Sequence, residues 1–73
     1  MATIEFELKD EFIPLDALLK TTGLASSGGV GKAMVAGGQV HVDGQLELRK
    51  RCKIRAGQIV NVGATTIKIT SRT

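Results

Sequence analysis

The stretch SSGGVGKAMVAGGQVHVDG, from Ser26 to Gly44, contains the change of pattern that decides the fold class. A serine pair that suits a helix N-cap precedes a helix-length run of small and apolar residues, which ends at Gly37-Gly38. Valines then alternate with polar residues up to Asp43-Gly44, a strong hairpin-turn signal. A helix followed directly by a hairpin predicts an α+β fold.

The predicted helix after Ser27 has an unusual composition. Val30, Met34 and Val35 form its predicted apolar stripe. Three glycines near its start each cost about 0.8–1 kcal/mol relative to alanine inside a helix, so packing has to support this helix. Two interpretations stay open for the glycines at 28, 29 and 31: close contact with another helix, or access of an anion to the exposed N–H groups.

The segment GGVGK, residues 28–32, shares letters with the phosphate-binding loop G-x-x-x-x-G-K-[ST] but does not match it. The first glycine of that pattern falls on Ser26, and the hydroxyl residue that would hold magnesium falls on Ala33. A helix end and a turn, instead of a buried strand, precede the segment. The sequence therefore predicts no nucleotide binding and no nucleotide hydrolysis.

The N-terminal segment predicts a strand and a first helix. Ile4, Phe6 and Leu8 alternate with glutamates, which is typical of a short, half-buried strand. Pro14 suits the first turn of a helix, and leucines follow at helical spacing, so we predict a helix over residues 14–22. These leucines are Leu15, Leu18 and Leu19.

After the second predicted helix, the pattern predicts about four short strands, the first of which precedes the hairpin turn. Leu46 and Leu48 are expected to continue the inward face begun by the valines, and Cys52 and Ile54 to follow on it. Further strands are expected over 59–62 and 67–69. The predicted architecture is two N-terminal helices packed on a small antiparallel or mixed sheet of about four to five short strands.

Length and composition limit the possible functions. A chain of 73 residues predicts one small domain, 1–73, which buries only about 60 % of its unfolded surface. No run of about 18 apolar residues exists, so we expect no membrane span. A single cysteine cannot form an internal disulfide, which favours a cytoplasmic location.

Charge is distributed unevenly along the chain. Residues 1–24 contain two lysines and five acidic residues, a net charge of −3. Residues 25–73 contain eight basic and two acidic residues, a net charge of +6, so the whole chain carries +3. This asymmetry predicts an anionic partner for the basic half.

The densest cluster of bases is LRKRCKIR, residues 48–55. If this segment is extended, its odd positions share one face and form a ladder of cations suited to a polyanion. Lys50 would then point inward, so we expect a bulge or loop around 49–51 that turns it out. Gln39 and His41 are expected on the same surface as the ladder residues Arg49, Arg51, Lys53 and Arg55. The alternative is a solvated face or a protected edge strand.

Folded RNA is the polyanion that the composition favours. Single-strand binders stack bases on aromatic side chains, whereas this chain has only Phe6 and Phe12, both outside the basic half. No helix is rich enough in bases and polar side chains to read a DNA major groove.

Catalytic and metal sites are not predicted. His41 is the only histidine, so no histidine pair exists for a metal, and no triad can be assembled. Cys52 is expected to be a core residue and not a nucleophile. We expect a protein without enzymatic activity or cofactor.

Four segments together carry a family resemblance: PLDALL (14–19), GLASS (23–27), GQVHVDG (38–44) and AGQIV (56–60). They resemble the RNA-binding domain named after ribosomal small-subunit protein four, the S4 domain, most strongly over residues 14–62. The segment ELRKRCKI (47–54) is similar to the YbcJ family, small stand-alone bacterial members of this class.

The resemblance implies RNA binding through an αL motif, in which two helices pack on a small sheet and the second helix and adjoining strands face RNA. Ser27 stands at the helix-opening serine of the family, Lys32 at a basic helix position, and Gln39 and His41 at polar strand positions.

The chain departs from the family pattern at three positions. Gly28 and Ala33 replace basic residues of the second helix, and Pro14 replaces the arginine of the first motif. Binding is therefore expected to depend mainly on the basic segment, that is, on Arg49, Lys50, Arg51, Lys53 and Arg55.

We therefore predict a cytoplasmic bacterial protein that binds structured RNA, ribosomal or transfer RNA, and is associated with translation or the ribosome. The alternative is a small protein-interaction module whose basic face docks an acidic protein partner. Steep loss of affinity with salt and competition by RNA distinguish the first from the second.

Overall fold

The computed structural model of the protein describes residues 2–71; Met1, Arg72 and Thr73 of the predicted domain lie outside the described residues. Strands flank two central helices. In chain order the elements are β1 (Ala2–Leu8), β2 (Ile13–Pro14), α1 (Leu15–Thr21), α2 (Gly28–Ala36), β3 (Val40–Val42), β4 (Gln45–Leu46), β5 (Lys53–Ile54), β6 (Ile59–Val62) and β7 (Thr65–Ser71).

The strands form two sheets. Five of them pair in the order β1-β7-β6-β3-β4, with β1 parallel to β7 and the other neighbours antiparallel. The remaining two, β2 and β5, pair antiparallel in a separate small sheet. The fold is thus α+β with a mixed sheet, which confirms the predicted class.

The core lies between one face of the five-stranded sheet and the two helices. Ile67 in β7 is fully buried and pairs with Ile4 of β1 and Val60 of β6. The helix α2 contributes Val35 to this cluster, and α1 contributes the three leucines predicted from helical spacing, Leu15, Leu18 and Leu19. The alternation predicted for β1 is confirmed. The predicted first helix is also present, although Pro14 precedes α1 instead of lying in its first turn.

The predicted hairpin forms, but in β4 the even-numbered residue lies on the opposite face of the sheet from the even-numbered valines of β3. Asp43 (φ 52°) and Gly44 (φ 82°) both adopt the left-handed conformation that a tight two-residue turn requires. Val42 therefore pairs with Gln45, and His41 with Leu46. Paired residues share a face, so Leu46 lies on the outward side with His41 and is 53 % exposed. The prediction that Leu46 continues the valine face was wrong because a two-residue turn pairs even positions with odd ones.

The second helix is capped as predicted but faces the core differently. The Ser27 side chain accepts a hydrogen bond from the Val30 N–H at 3.2 Å. Gly31 and Val35 are the buried residues of α2, whereas Val30 is exposed. Val30 was wrongly assigned to the apolar stripe, because the inward face centres one residue further along the helix.

Gly31 allows α2 to lie close to α1, which was one of the two interpretations of the glycines. A Cβ at this position would lie 3.1 Å from the backbone carbonyl oxygen of Asp16 in α1. Gly28 has open space around it, and at Gly29 the nearest atom to a Cβ would be the Ser27 Oγ, at 3.8 Å. Close helix packing therefore accounts for one glycine of the three.

Replacing Gly31 by valine should lower the free energy of unfolding by about 1–3 kcal/mol, since the larger side chain pushes α2 away from the α1 backbone. The matched control is Gly29→Val, where nothing obstructs the side chain and a helix gains when glycine is replaced. Urea denaturation of the two variants measures the difference, and equal stability would contradict the packing role of Gly31.

Candidate nucleic-acid interface

The basic segment, residues 48–55, is mostly a loop and not a continuous strand. A turn occupies residues 50 and 51, and only Lys53 and Ile54 pair, with Pro14 and Ile13 of β2. The predicted ladder of cations along one strand was therefore wrong. Pro14 has no N–H to donate, which is consistent with such a short pairing. The expected loop at 49–51 is confirmed, and it leaves Lys50 exposed.

Main-chain hydrogen bonds fix this loop to the start of α1. Pro14 occupies the N-cap position and makes no side-chain cap. The N–H groups of Leu15 and Asp16 instead donate to the carbonyls of Cys52 (2.9 Å) and Lys50 (3.0 Å). These bonds satisfy two donors that every helix start leaves free. The loop thereby caps the helix and is held in place by it.

An open groove of about 910 Å³ collects the cations. Its size falls in the range of ligand-binding clefts. The last residue of α2, Ala36, forms part of its wall, together with Leu48, Arg49, Lys50, Arg51, Cys52, Lys53 and Arg55. All five basic residues predicted in the segment therefore line one concavity.

Glu47 partly neutralises this groove, a contribution that the sequence reasoning missed. Its carboxylate accepts hydrogen bonds from Arg49 Nε (2.9 Å), Arg49 Nη2 (3.2 Å) and the Arg49 backbone N–H (3.0 Å). The side-chain and backbone bonds from Arg49 lower the pKa of Glu47 from 4.5 to about 2, so the carboxylate is charged at neutral pH. The Glu47 side chain is 14 % exposed and that of Arg49 78 %. The spacing of two residues between them was the signal available in the sequence.

The other four cations of the groove are not neutralised in this way. Within the described part of the chain, no carboxylate lies within ion-pair distance of them. Their charges therefore remain available to an anionic partner. The four residues are Lys50, Arg51, Lys53 and Arg55.

Phe12 lies against the basic segment, although its place in the sequence predicted separation from it. The Lys53 ammonium is 4.9 Å from the centroid of the Phe12 ring, and the Arg55 guanidinium carbon is 6.0 Å from it. Cations at such distances over an aromatic face are attracted to it. The contact follows from the β2–β5 pairing, a long-range feature that local pattern does not reveal.

The remaining predicted site residues do not line the groove. Ser27 lies at the opposite end of α2 from Ala36, about 13 Å away along the helix axis. Lys32 is exposed within α2, and His41 is exposed on the sheet face away from the core. The structure thus does not bring Gln39 and His41 into one concave surface with the cations.

Other chemistry has little support among the described residues. Cys52 is half-buried and packs against the core, as expected, and burial raises the pKa of its thiol. No group of three or more histidine, cysteine, aspartate or glutamate side chains within residues 2–71 could hold a metal ion. No helix in this range is long and apolar enough to cross a membrane.

Comparison with known proteins identifies the family. The S4 domain family matches residues 6–70. The YbcJ protein of Escherichia coli K12, described as a candidate RNA-binding protein, is 44 % identical over 61 residues, covering 84 % of this chain and 87 % of the relative, and Shigella flexneri YbcJ matches equally. The solution structure of Escherichia coli YbcJ, described as revealing an αL motif involved in RNA binding, superposes with a TM-score of 0.71 at 43 % identity, over 90 % of this chain and 85 % of that one. The protein therefore belongs to the S4 domain family.

Proposed function

We propose that the protein is a non-enzymatic binder of structured RNA, with ribosomal or transfer RNA as its target in the bacterial cytoplasm. Residues 1–73 act as a single RNA-binding domain. The observation that carries this proposal is the groove in which five cations converge, four of them without a carboxylate partner among residues 2–71. Membership of the S4 domain family and the RNA-binding αL motif described for Escherichia coli YbcJ support it.

The groove suits phosphate because of its charge and its rigidity. Guanidinium groups of arginine match phosphate oxygens in pairs, and Arg51 and Arg55 have no competing ion pair in the described chain. Hydrogen bonds to the first turn of α1 hold the loop, so little ordering is required on binding. With four phosphate contacts, a plot of the logarithm of the binding constant against the logarithm of the salt concentration should have a slope of about −3 to −4.

The remaining predicted residues belong to a wider interface in this proposal. Ser27 caps α2 about one helix length from the groove, and Lys32 lies within α2, about 6 Å along the helix axis from Ala36. Gln39 precedes β3 and His41 lies within it, and both would contact the same RNA outside the groove. A folded RNA is large enough to reach from the groove to these positions, whereas a single phosphate is not.

Docking of an acidic protein is the alternative function. The exposed leucines at 46 and 48 near the basic segment favour it, because protein interfaces combine apolar and charged contacts. Competition decides between the two: unlabelled folded RNA should displace any acidic partner from the groove if the groove is the RNA site.

Replacing Lys50, Arg51 and Arg55 together by alanine should weaken binding to folded RNA by about 30- to 100-fold, because three charge-assisted phosphate contacts are lost. The salt slope should become shallower by about 2 to 3. Fluorescence anisotropy with a labelled RNA hairpin at three salt concentrations measures both.

The matched control replaces three exposed cations outside the groove, Lys9, Lys20 and Lys68, and lowers the net charge by the same amount. It should keep most of the affinity, and both variants should melt cooperatively. Equal loss of affinity in the two triple variants would show that net charge, and not the groove, attracts RNA.

Glu47→Gln should increase RNA affinity by about two- to fivefold and steepen the salt slope by about 1, since Arg49 becomes available to phosphate. Because the pKa of Glu47 is about 2, the gain should be the same at pH 5 and pH 8. Anisotropy titrations at both pH values check it. Unchanged affinity in this variant would indicate that Arg49 does not reach the RNA.

A further inference from the structure

Leu48 is an apolar side chain in the wall of a cationic groove. It is 58 % exposed and lines the same concavity as the five bases and Ala36. A surface that meets only the sugar–phosphate backbone of a duplex needs charge and hydrogen-bond donors but no apolar wall. Leu48 therefore adds apolar contact area to a groove that is otherwise suited to phosphate.

The exposure of Leu48 is set by its neighbours in the chain. The Glu47 N–H donates to the Val40 carbonyl at 3.0 Å, which continues the hairpin pairing one residue beyond β4. On the other side, the Arg49 N–H and side chain are fixed by the Glu47 carboxylate. With residues 47 and 49 both held, Leu48 is presented to the groove by ordered backbone.

We propose that the groove accepts an unpaired nucleotide of the RNA, whose base packs on the apolar wall of Leu48 and Ala36. Its flanking phosphates contact Arg51 and the neighbouring cations. This inference rests on the proposed function and deepens it by naming the RNA feature that is recognised. A nucleotide combines a flat base of low polarity on its faces with an anionic phosphate, and the groove offers the same combination.

The volume of the groove supports a nucleotide over a helical backbone. About 910 Å³ is within the range of small-molecule clefts, so the concavity has room for a base turned out of a helix. An unpaired base enters it at the lowest cost, because it has no base pair to break. Guanidinium planes such as that of Arg51 also provide a stacking surface for bases, which a chain poor in aromatic residues otherwise lacks.

Three RNA hairpins with one stem sequence test the inference: a perfect stem, a stem with one bulged nucleotide, and the same bulge with an abasic nucleotide. The abasic RNA keeps the bend and the phosphate but has no base. The protein should bind the bulged hairpin about three- to tenfold more tightly than the abasic one, as expected for burial of part of a leucine side chain.

Leu48→Ala should reduce the ratio of affinities for the bulged and abasic hairpins to about one. The matched control is Leu46→Ala, an equally exposed leucine that does not line the groove, and it should keep the preference. In methyl NMR spectra, the bulged hairpin should shift the Leu48 methyl signals upfield through the ring current of the base. The abasic hairpin and the Leu46 methyl groups should not show this shift.

Other outcomes overturn the inference in distinguishable ways. Equal binding of bulged and abasic hairpins, or a preference that survives in Leu48→Ala, overturns it and leaves RNA binding intact. Absence of binding to all three hairpins at low salt overturns the proposed function as well. Tighter binding of an acidic, leucine-containing peptide than of any hairpin, lost in Leu48→Ala, assigns the groove to a protein partner and overturns both.

Discussion

The hydrogen bonds that cap the first turn of α1 are the constraint on which the rest of the structure depends. Leu15 and Asp16 donate their N–H groups to carbonyls of the basic loop, and the Leu15 side chain is fully buried in the core. A Cβ at Gly31 would lie 3.1 Å from the Asp16 carbonyl oxygen, so a larger residue there would require the helices to shift apart. Helix α1, helix α2 and the basic loop thus meet at one turn. Movement of α1 or of the basic loop would leave polar backbone groups without partners, which is costly in a partly buried position, and movement of α2 would open the packing at Gly31.

Bringing five cations together costs electrostatic repulsion, and the fold reduces this cost without removing the charge. Glu47 neutralises Arg49, and the ring of Phe12 lies below the charges of Lys53 and Arg55. Solvent screens the rest, because the basic side chains are exposed. Glu47 and Phe12 do not line the groove, but they contact three of its cations, while four positive charges remain unpaired in the described chain.

Local pattern predicted the elements well, and long-range pairing explains what it missed. The first helix, the Ser27 cap and the Asp43-Gly44 turn each depend on neighbouring residues, and the structure has all three. Leu46 was placed on the wrong face because even-numbered residues were assumed to stay on one face through a two-residue turn. The predicted ladder of cations required an extended basic segment, but β2 offers this segment a pairing partner over only two residues. Phe12 and the groove itself arise from that same pairing, so no spacing within the basic segment could reveal them.

The departures from the S4 family pattern have a common structural consequence. Gly28 and Ala33 leave α2 with Lys32 as its single cation, so its contribution to a phosphate surface is small. Pro14 removes a further cation from the start of α1, but it also leaves that helix without a side-chain cap, and the carbonyls of the basic loop take this place. Pro14, which replaces the arginine of the first motif, thus lies next to the loop that carries five other cations. Under the proposed function, RNA contact shifts from the helix surface to a loop, and the concave shape of that loop permits recognition of an unpaired nucleotide, which a flat helical surface does not.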